Sequence, residues 1–249
     1  DYLTEYGSQF IKNLKYKTNS KSNKVGVSIS THKKYQTIVN KLIAFDKYRR
    51  VKTKITDVDL KFRISLMDYL KDVDRLSDNT IGRYLKVVKS ICLDAEKNGQ
   101  RVNRQLKDFM GFSIEAPKVI LSLDEIEQIK KTNLYSEHLE ITRDWLIIGC
   151  FSGQRVSDLL RMNSSFIQRI QNFEFIVLTQ QKTNKTVQIP IHYEVQEILD
   201  KRGGDFPPVF ANNIDSSKTL FNRYLKQLCK LSGIDKVVKG NKFEKSLKR

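Results

Sequence analysis

Apolar and polar positions along this chain follow a helical beat for most of its length. In 30-STHKKYQTIVNKLIAFDKYRR-50 the residues Tyr35, Ile38, Val39, Leu42, Phe45 and Tyr48 recur at spacings of three and four. That period predicts an amphipathic helix, with Ser30 as its N-cap. A second helix is predicted over about 59–72, with Phe62, Leu66, Tyr69 and Leu70 facing inward. The strongest pattern is 77-SDNTIGRYLKVVKSICLDAEKNG-99, where Ile81, Tyr84, Leu85, Val88, Ile91, Cys92 and Ala95 form one stripe. Gly99 suits the left-handed stop of that helix. Residues 12–28 are polar and rich in Ser, Asn and Lys, and read as a loop. Three or four short helices thus make a helical domain over 1–112.

The beat stops at 113-SIEAPKVIL-121, which contains Pro117 and reads as an interdomain linker. Immediately after it, 122-SLDE-125 is a Ser-x-x-Glu capping box that opens a helix. Helices are expected at about 123–132, 137–152 and 153–162. The segments 173-FEFIVLTQ-180 and 185-KTVQIPI-191 are rich in β-branched and aromatic residues and flank 181-QKTN-184, which predicts a hairpin. Pro190 belongs at a strand end or edge. Helices resume at about 193–201 and 216–232, the latter with Leu220, Phe221, Tyr224, Leu228 and Leu231 inward and Gly233 closing it. A lysine-rich tail, 235-DKVVKGNKFEKSLKR-249, follows. The expected fold is mainly α with a small antiparallel β-hairpin or sheet, a helical bundle over 1–112 being followed by an α+β domain over 122–249.

Charge changes this picture from a fold to a class of partner. The 249 residues carry 45 Lys and Arg against 28 Asp and Glu, a net charge of +17. Residues 1–115 hold 24 basic and 13 acidic side chains, and residues 116–249 hold 21 and 15. Both halves are basic, which points to a polyanion touching both, and nucleic acid is the commonest. No apolar run approaches the roughly 18 residues of a membrane span, and none of the 11 glycines falls in a phosphate-binding loop or dinucleotide pattern. Cys92, Cys150 and Cys229 are too widely spaced for a metal site or disulfide framework and read as buried free thiols in a reducing compartment. No cofactor and no metal is expected.

The chemistry concentrates in two places. One is 152-SGQRVSDLLRM-162, where Arg155 stands at the junction of an apolar run and a helix start. The other is Lys182 at the hairpin turn, 27 residues further on, ahead of the apolar-Pro-apolar strand end 187-VQIPI-191. In this order, after a helical domain, these features resemble the tyrosine recombinases, or phage integrase family. The box is similar to the family's T-G-x-R-x-[SD/E]-L-L-x-L, with Ser152 in place of the usual Thr or Ala. The first domain resembles the family's SAM-like core-binding domain, and the second the N-terminal part of its catalytic domain.

The resemblance implies a DNA strand transferase in which a tyrosine hydroxyl attacks a phosphodiester and leaves a 3′-phosphotyrosyl bond. It assigns Arg155 to clamping the phosphate and Lys182 to protonating the leaving 5′-oxygen. Lys185, three residues on, is the rival for that second role and otherwise a DNA contact. Two roles fit Asp158, orienting the guanidinium or capping the helix. Arg83, Lys86 and Lys89 on the basic face of the third helix are expected to meet DNA phosphates. The family implies double-stranded DNA as partner and a homotetramer on DNA, in the cytoplasm of a bacterium at its nucleoid, without a membrane. The family's His-x-x-Arg pair, further His or Trp, and nucleophilic tyrosine are not recognisable here. His32, His138 and His192 lack arginine at the third following place, and Tyr224 fits the inner face of its helix. The chain, which starts at Asp1, is therefore expected to be an excerpt of a mobile-element recombinase, inactive in cleavage by itself and with room for an arm-binding domain before it. The alternative is a natural remnant that binds DNA without cutting.

Overall fold

Ser28, rather than Ser30, starts the long helix of the N-terminal half. Its Oγ accepts the Thr31 N–H at 3.2 Å, and its extended backbone is what an N-cap requires. The computed structural model describes residues 1–19 and 24–236. The described chain divides into two compact units, one over Asp1–Pro117 and one beginning at Lys118. Most of the tail 235–249, and residues 20–23 of the expected polar loop, lie outside the described residues.

The first unit contains α1 (Leu3–Asn13), α2 (Ile29–Arg49), α3 (Leu60–Asp68), which runs into a π-helical turn at Tyr69–Val73, and α4 (Asp78–Lys97). A two-residue ladder, β1 (Thr18–Asn19) with β2 (Lys24–Val25), sits between α1 and α2. Helix α1 is absent from the sequence expectation. Its Leu3, Tyr6, Phe10, Ile11 and Leu14 do recur at spacings of three and four, and Gly7 is where α1 meets α2: a Cβ there would lie 3.0 Å from Val39 Cγ2. Leu3, Phe10 and Ile11 of α1 join Ile38, Val39, Leu42 and Phe45 of α2 in one core. Phe62, Leu66, Tyr69 and Leu70 are buried, as their spacing predicts. So are Ile81, Leu85, Val88, Ile91, Cys92 and Ala95 on α4, with Tyr84 packed at the margin. Tyr48 departs from expectation. It lies one turn past Phe45, beyond the reach of the core, and is 62% exposed with its ring 5.0 Å from that of Tyr69.

The chain leaving α4 returns to dock on it. Gly82 and Gly111 permit the approach, since a Cβ on Gly82 would meet the Phe112 carbonyl oxygen at 2.2 Å. Asn79 then brackets Ile114, donating to its carbonyl at 2.8 Å and accepting its N–H at 2.7 Å.

In the second unit α5 (Leu123–Lys131) starts at the predicted box: Ser122 Oγ accepts the Glu125 N–H, and Glu125 accepts the Ser122 N–H. Next come α6 (Glu137–Ser152) and α7 (Val156–Leu159), a single turn where 153–162 reads as a longer helix. The predicted hairpin is β4 (Phe173–Thr179) with β5 (Thr186–Pro190), and Pro190 ends the edge strand. A third strand, β3 (Ile167–Ile170), pairs antiparallel on the far side of β4. Four residues with two polar ones in the middle carry too little period to be read from sequence. Helices α8 (Tyr193–Lys201) and α9 (Ile214–Leu231) complete the unit.

Trp145 of α6 is fully buried, and its Nε1–H donates to the Pro208 carbonyl at 3.0 Å. Around it pack Ile148, Leu159, Ile176, Leu178, Leu199 and Phe221. On α9 Phe221 and Leu228 are buried as expected, Leu225 also packs against the core, and Leu231 is exposed. Two of the three cysteines also part from the expected burial. Cys92 is buried, Cys229 is half-buried and Cys150 is exposed. Cys150 is two positions from both Ile148 and Ser152, about 200° around the helix from that buried face.

Candidate active site

Helix α6 must stop sharply for the chain to turn toward the sheet. Gly153 does this with φ 65°, a left-handed conformation that suits a residue without Cβ, and its N–H donates to the Gly149 carbonyl at 3.0 Å. Two residues later Arg155 has extended backbone and acts as the N-cap residue of α7. Its carbonyl accepts the N–H groups of Asp158 and Leu159, both at 2.8 Å. Leu159 and Leu160 take the inward positions, and the guanidinium of Arg155 is left exposed.

The hairpin turn is closed by its own backbone. Gln180 N–H donates to the Lys185 carbonyl, and Asn184, at φ 54°, donates its N–H to the Gln180 carbonyl, both at 2.9 Å. The hydroxyls of Thr179 and Thr186 pair across the strand ends at 2.9 Å. Lys182 stands exposed in the turn and Lys185 exposed at its end.

Box and turn form one body. Asp158 is fully buried, and its Oδ1 accepts both the Gln181 N–H and the Arg161 guanidinium, each at 2.9 Å. Arg161 also donates to the Thr179 carbonyl at 3.0 Å. Gln180 Nε2 donates to Gln154 Oε1 at 2.9 Å, while Gln180 Oε1 accepts from Thr183 Oγ1 at 2.8 Å and from Arg155 Nη1 at 3.4 Å. Arg155 is thus one side chain away from the turn that carries Lys182. Asp158 neither holds the guanidinium of Arg155 nor caps α7. It fastens the turn instead. Among the described residues no carboxylate forms an ion pair with Arg155 or Lys182. Two exposed cations are therefore held on a rigid frame with their charge unspent, which suits an anion with more than one oxygen. Gln154, Gln180 and Arg161 have no signal of their own in the sequence, because their contacts span 18 to 26 residues.

The basic face of α4 belongs to the first unit. Arg83 and Lys86 are exposed, and Arg83 donates to Thr80 Oγ1 at 3.1 Å. Lys89 is half-buried and its ammonium donates to the Lys107 carbonyl at 2.7 Å, which anchors the returning chain. The histidines of the second unit are engaged in packing. His192 caps α8 through Nδ1, which accepts the Glu194 N–H at 3.3 Å, and its ring stacks on Phe151 at 4.2 Å. His138 stacks on Tyr224 at 5.3 Å. Among the described residues no group of His, Cys, Asp and Glu is placed to hold a metal ion, and no helix is long and apolar enough to cross a membrane.

The fold is shared with known proteins. Residues 9–114 match the profile of the phage integrase SAM-like domain. Among solved structures, the chain is similar to lambda integrase (residues 75–356), a dimer bound to a COC′ core site. The TM-score is 0.69 at 18% identity, covering 96% of this chain and 84% of that one. A lambda integrase tetramer bound to a Holliday junction aligns with TM-score 0.68 at 17% identity, over 97% of this chain and 68% of that one. The Tn1549 transposon integrase (residues 82–397), in complex with circular intermediate DNA, aligns with TM-score 0.62 at 17% identity, over 97% and 82%. No curated protein sequence matches the chain. Residues 9–114 thus match a phage integrase SAM-like domain, and the chain as a whole shares its fold with the lambda and Tn1549 integrases.

Proposed function

We propose that this protein binds duplex DNA and takes part in site-specific strand cleavage and rejoining in a mobile element. In this reading residues 1–112 are a core-binding domain, 113–121 a linker, and residues from 122 onward part of a catalytic domain. The observation that carries the reading is the tie between Arg155 and the Lys182 turn through Gln180. In the reaction a tyrosine oxygen attacks phosphorus, a P–O bond to that oxygen forms, and the P–O5′ bond breaks. Negative charge grows on the non-bridging oxygens, where the two-pronged guanidinium of Arg155 stabilises it without losing its own proton. The departing 5′-oxygen takes a proton from the Lys182 ammonium. Lys185 and the α4 residues Arg83, Lys86 and Lys89 hold further phosphates. The net charge of +17 supports such a footprint. The tetramer of the similar lambda integrase supports assembly of four protomers on two duplexes.

A binding-only role is favoured by one observation: no histidine of this chain begins a His-x-x-Arg sequence. Duplex binding under increasing salt tests the shared part of both readings. The affinity should fall steeply, with log Kd linear in log salt. Binding that ignores salt overturns both.

A further inference from the structure

We infer that Gln180 is a positioning residue that aims Arg155 at the phosphate, and that its side chain must be a neutral amide to do so. The inference rests on the reading of Arg155 as a phosphate clamp. Gln180 is the point where the arginine box and the hairpin turn meet. Its backbone closes the turn on Lys185 and Asn184. Its side chain reaches back to the box, giving its Nε2–H to Gln154 and receiving Arg155 Nη1 and Thr183 Oγ1 on Oε1. The amide can sit in only one sense. Two donors converge on one of its atoms, so that atom is the oxygen, and the amide nitrogen faces the Gln154 oxygen.

An arginine that must bind an anion presents a conflict. An exposed guanidinium on a long stem samples many rotamers, and each one lost on binding costs affinity. A carboxylate would hold it firmly but would also cancel its charge and repel the incoming phosphate. A neutral carbonyl oxygen resolves this. It accepts one N–H, restrains the side chain, and leaves the full positive charge and the other N–H donors for the ligand. The absence of a carboxylate ion pair to Arg155 among the described residues fits this arrangement. Thr183 completes the hub: its hydroxyl keeps the amide oxygen in place and links it to the residue beside Lys182.

The experiment uses this 249-residue chain and a mixed-sequence duplex, with affinity measured across a salt series. Each phosphate neutralised adds about 0.9 to the slope of log affinity against log salt. Arg155→Ala should lower the slope by about that amount. Gln180→Glu should do the same, because the new carboxylate neutralises the arginine in place. Gln180→Met has similar length and no charge; it should keep the wild-type slope, because Arg155 retains its charge, but lower the affinity about two- to five-fold at every salt concentration, because the guanidinium is no longer restrained. In that variant the Nε–H signal of Arg155 should show faster side-chain motion by NMR. Thermal unfolding of each variant confirms that it is folded. If Arg155→Ala lowers the slope but Gln180→Glu does not, the role of Gln180 is overturned while the phosphate clamp stands. That role is equally overturned if Gln180→Met leaves the motion of Arg155 unchanged. If Arg155→Ala itself leaves the slope unchanged, the clamp fails and the role of Gln180 fails with it.

Discussion

Asp158 accepts the backbone N–H of Gln181 at 2.9 Å across 23 residues of sequence. One carboxylate oxygen thereby fixes the turn bearing Lys182 to the helix that Arg155 begins. The same oxygen holds Arg161, which in turn grips the Thr179 carbonyl. Removing Asp158 leaves the Gln181 N–H without its acceptor and the partly buried Arg161 guanidinium with the Thr179 carbonyl but no carboxylate. Asp158→Ala should therefore cost about 2–4 kcal/mol in urea unfolding. Asp158→Asn keeps an oxygen for Gln181 and should cost less. A change under about 0.5 kcal/mol for the alanine variant, the range of an ordinary surface substitution, would mean that the turn is held by other contacts.

The cysteines should report their burial chemically. Burial pushes the Cys92 thiol up to about 12, so at pH 8 it is both protonated and covered. Burial also raises the thiols of Cys150 and Cys229, but Cys150 is exposed and Cys229 half-buried. Iodoacetamide at pH 8, followed by peptide mass spectrometry, should label Cys150 first and Cys92 only after unfolding. Because thiolate is the reactive form, labelling of Cys150 should quicken as pH rises. Early labelling of Cys92 would contradict the packing of α4 in its core.

Much of this architecture was legible in the sequence, and the misses have physical causes. The α4 stripe and the Ser122 capping box are local signals, decided within a few turns of chain, and both hold. The hairpin is equally local, and Pro190 ends its strand as expected. Helix α1 was legible too, since Leu3, Tyr6, Phe10, Ile11 and Leu14 keep helical spacing; what was not legible is the contact of Gly7 with Val39, more than thirty residues away. Strand β3 is short and polar and exists because β4 offers it an edge. Arg155 and Lys182 could be picked out by their place in a motif. What joins them could not, since Gln180 and Asp158 act through partners on the other element.

The 249-residue chain contains no His-x-x-Arg sequence, and Tyr224 is packed between His138 and Phe210. Incubated with a nicked suicide duplex, this chain should give no protein–DNA adduct on a denaturing gel. A covalent band would show that one of its ten tyrosines is a competent nucleophile, and mapping it would reassign the site.

The central claim is that the exposed guanidinium of Arg155 meets the phosphate that is cleaved. Strand cleavage and DNA affinity should be compared for Arg155→Ala in a protein that contains both this chain and its nucleophilic tyrosine. Cleavage should fall by at least about 100-fold, the scale of losing one transition-state donor, roughly 10²–10³. Affinity should fall only a few-fold, since many other phosphates remain bound. Equal losses in both would make Arg155 a plain DNA contact, and unchanged cleavage would remove it from the reaction altogether.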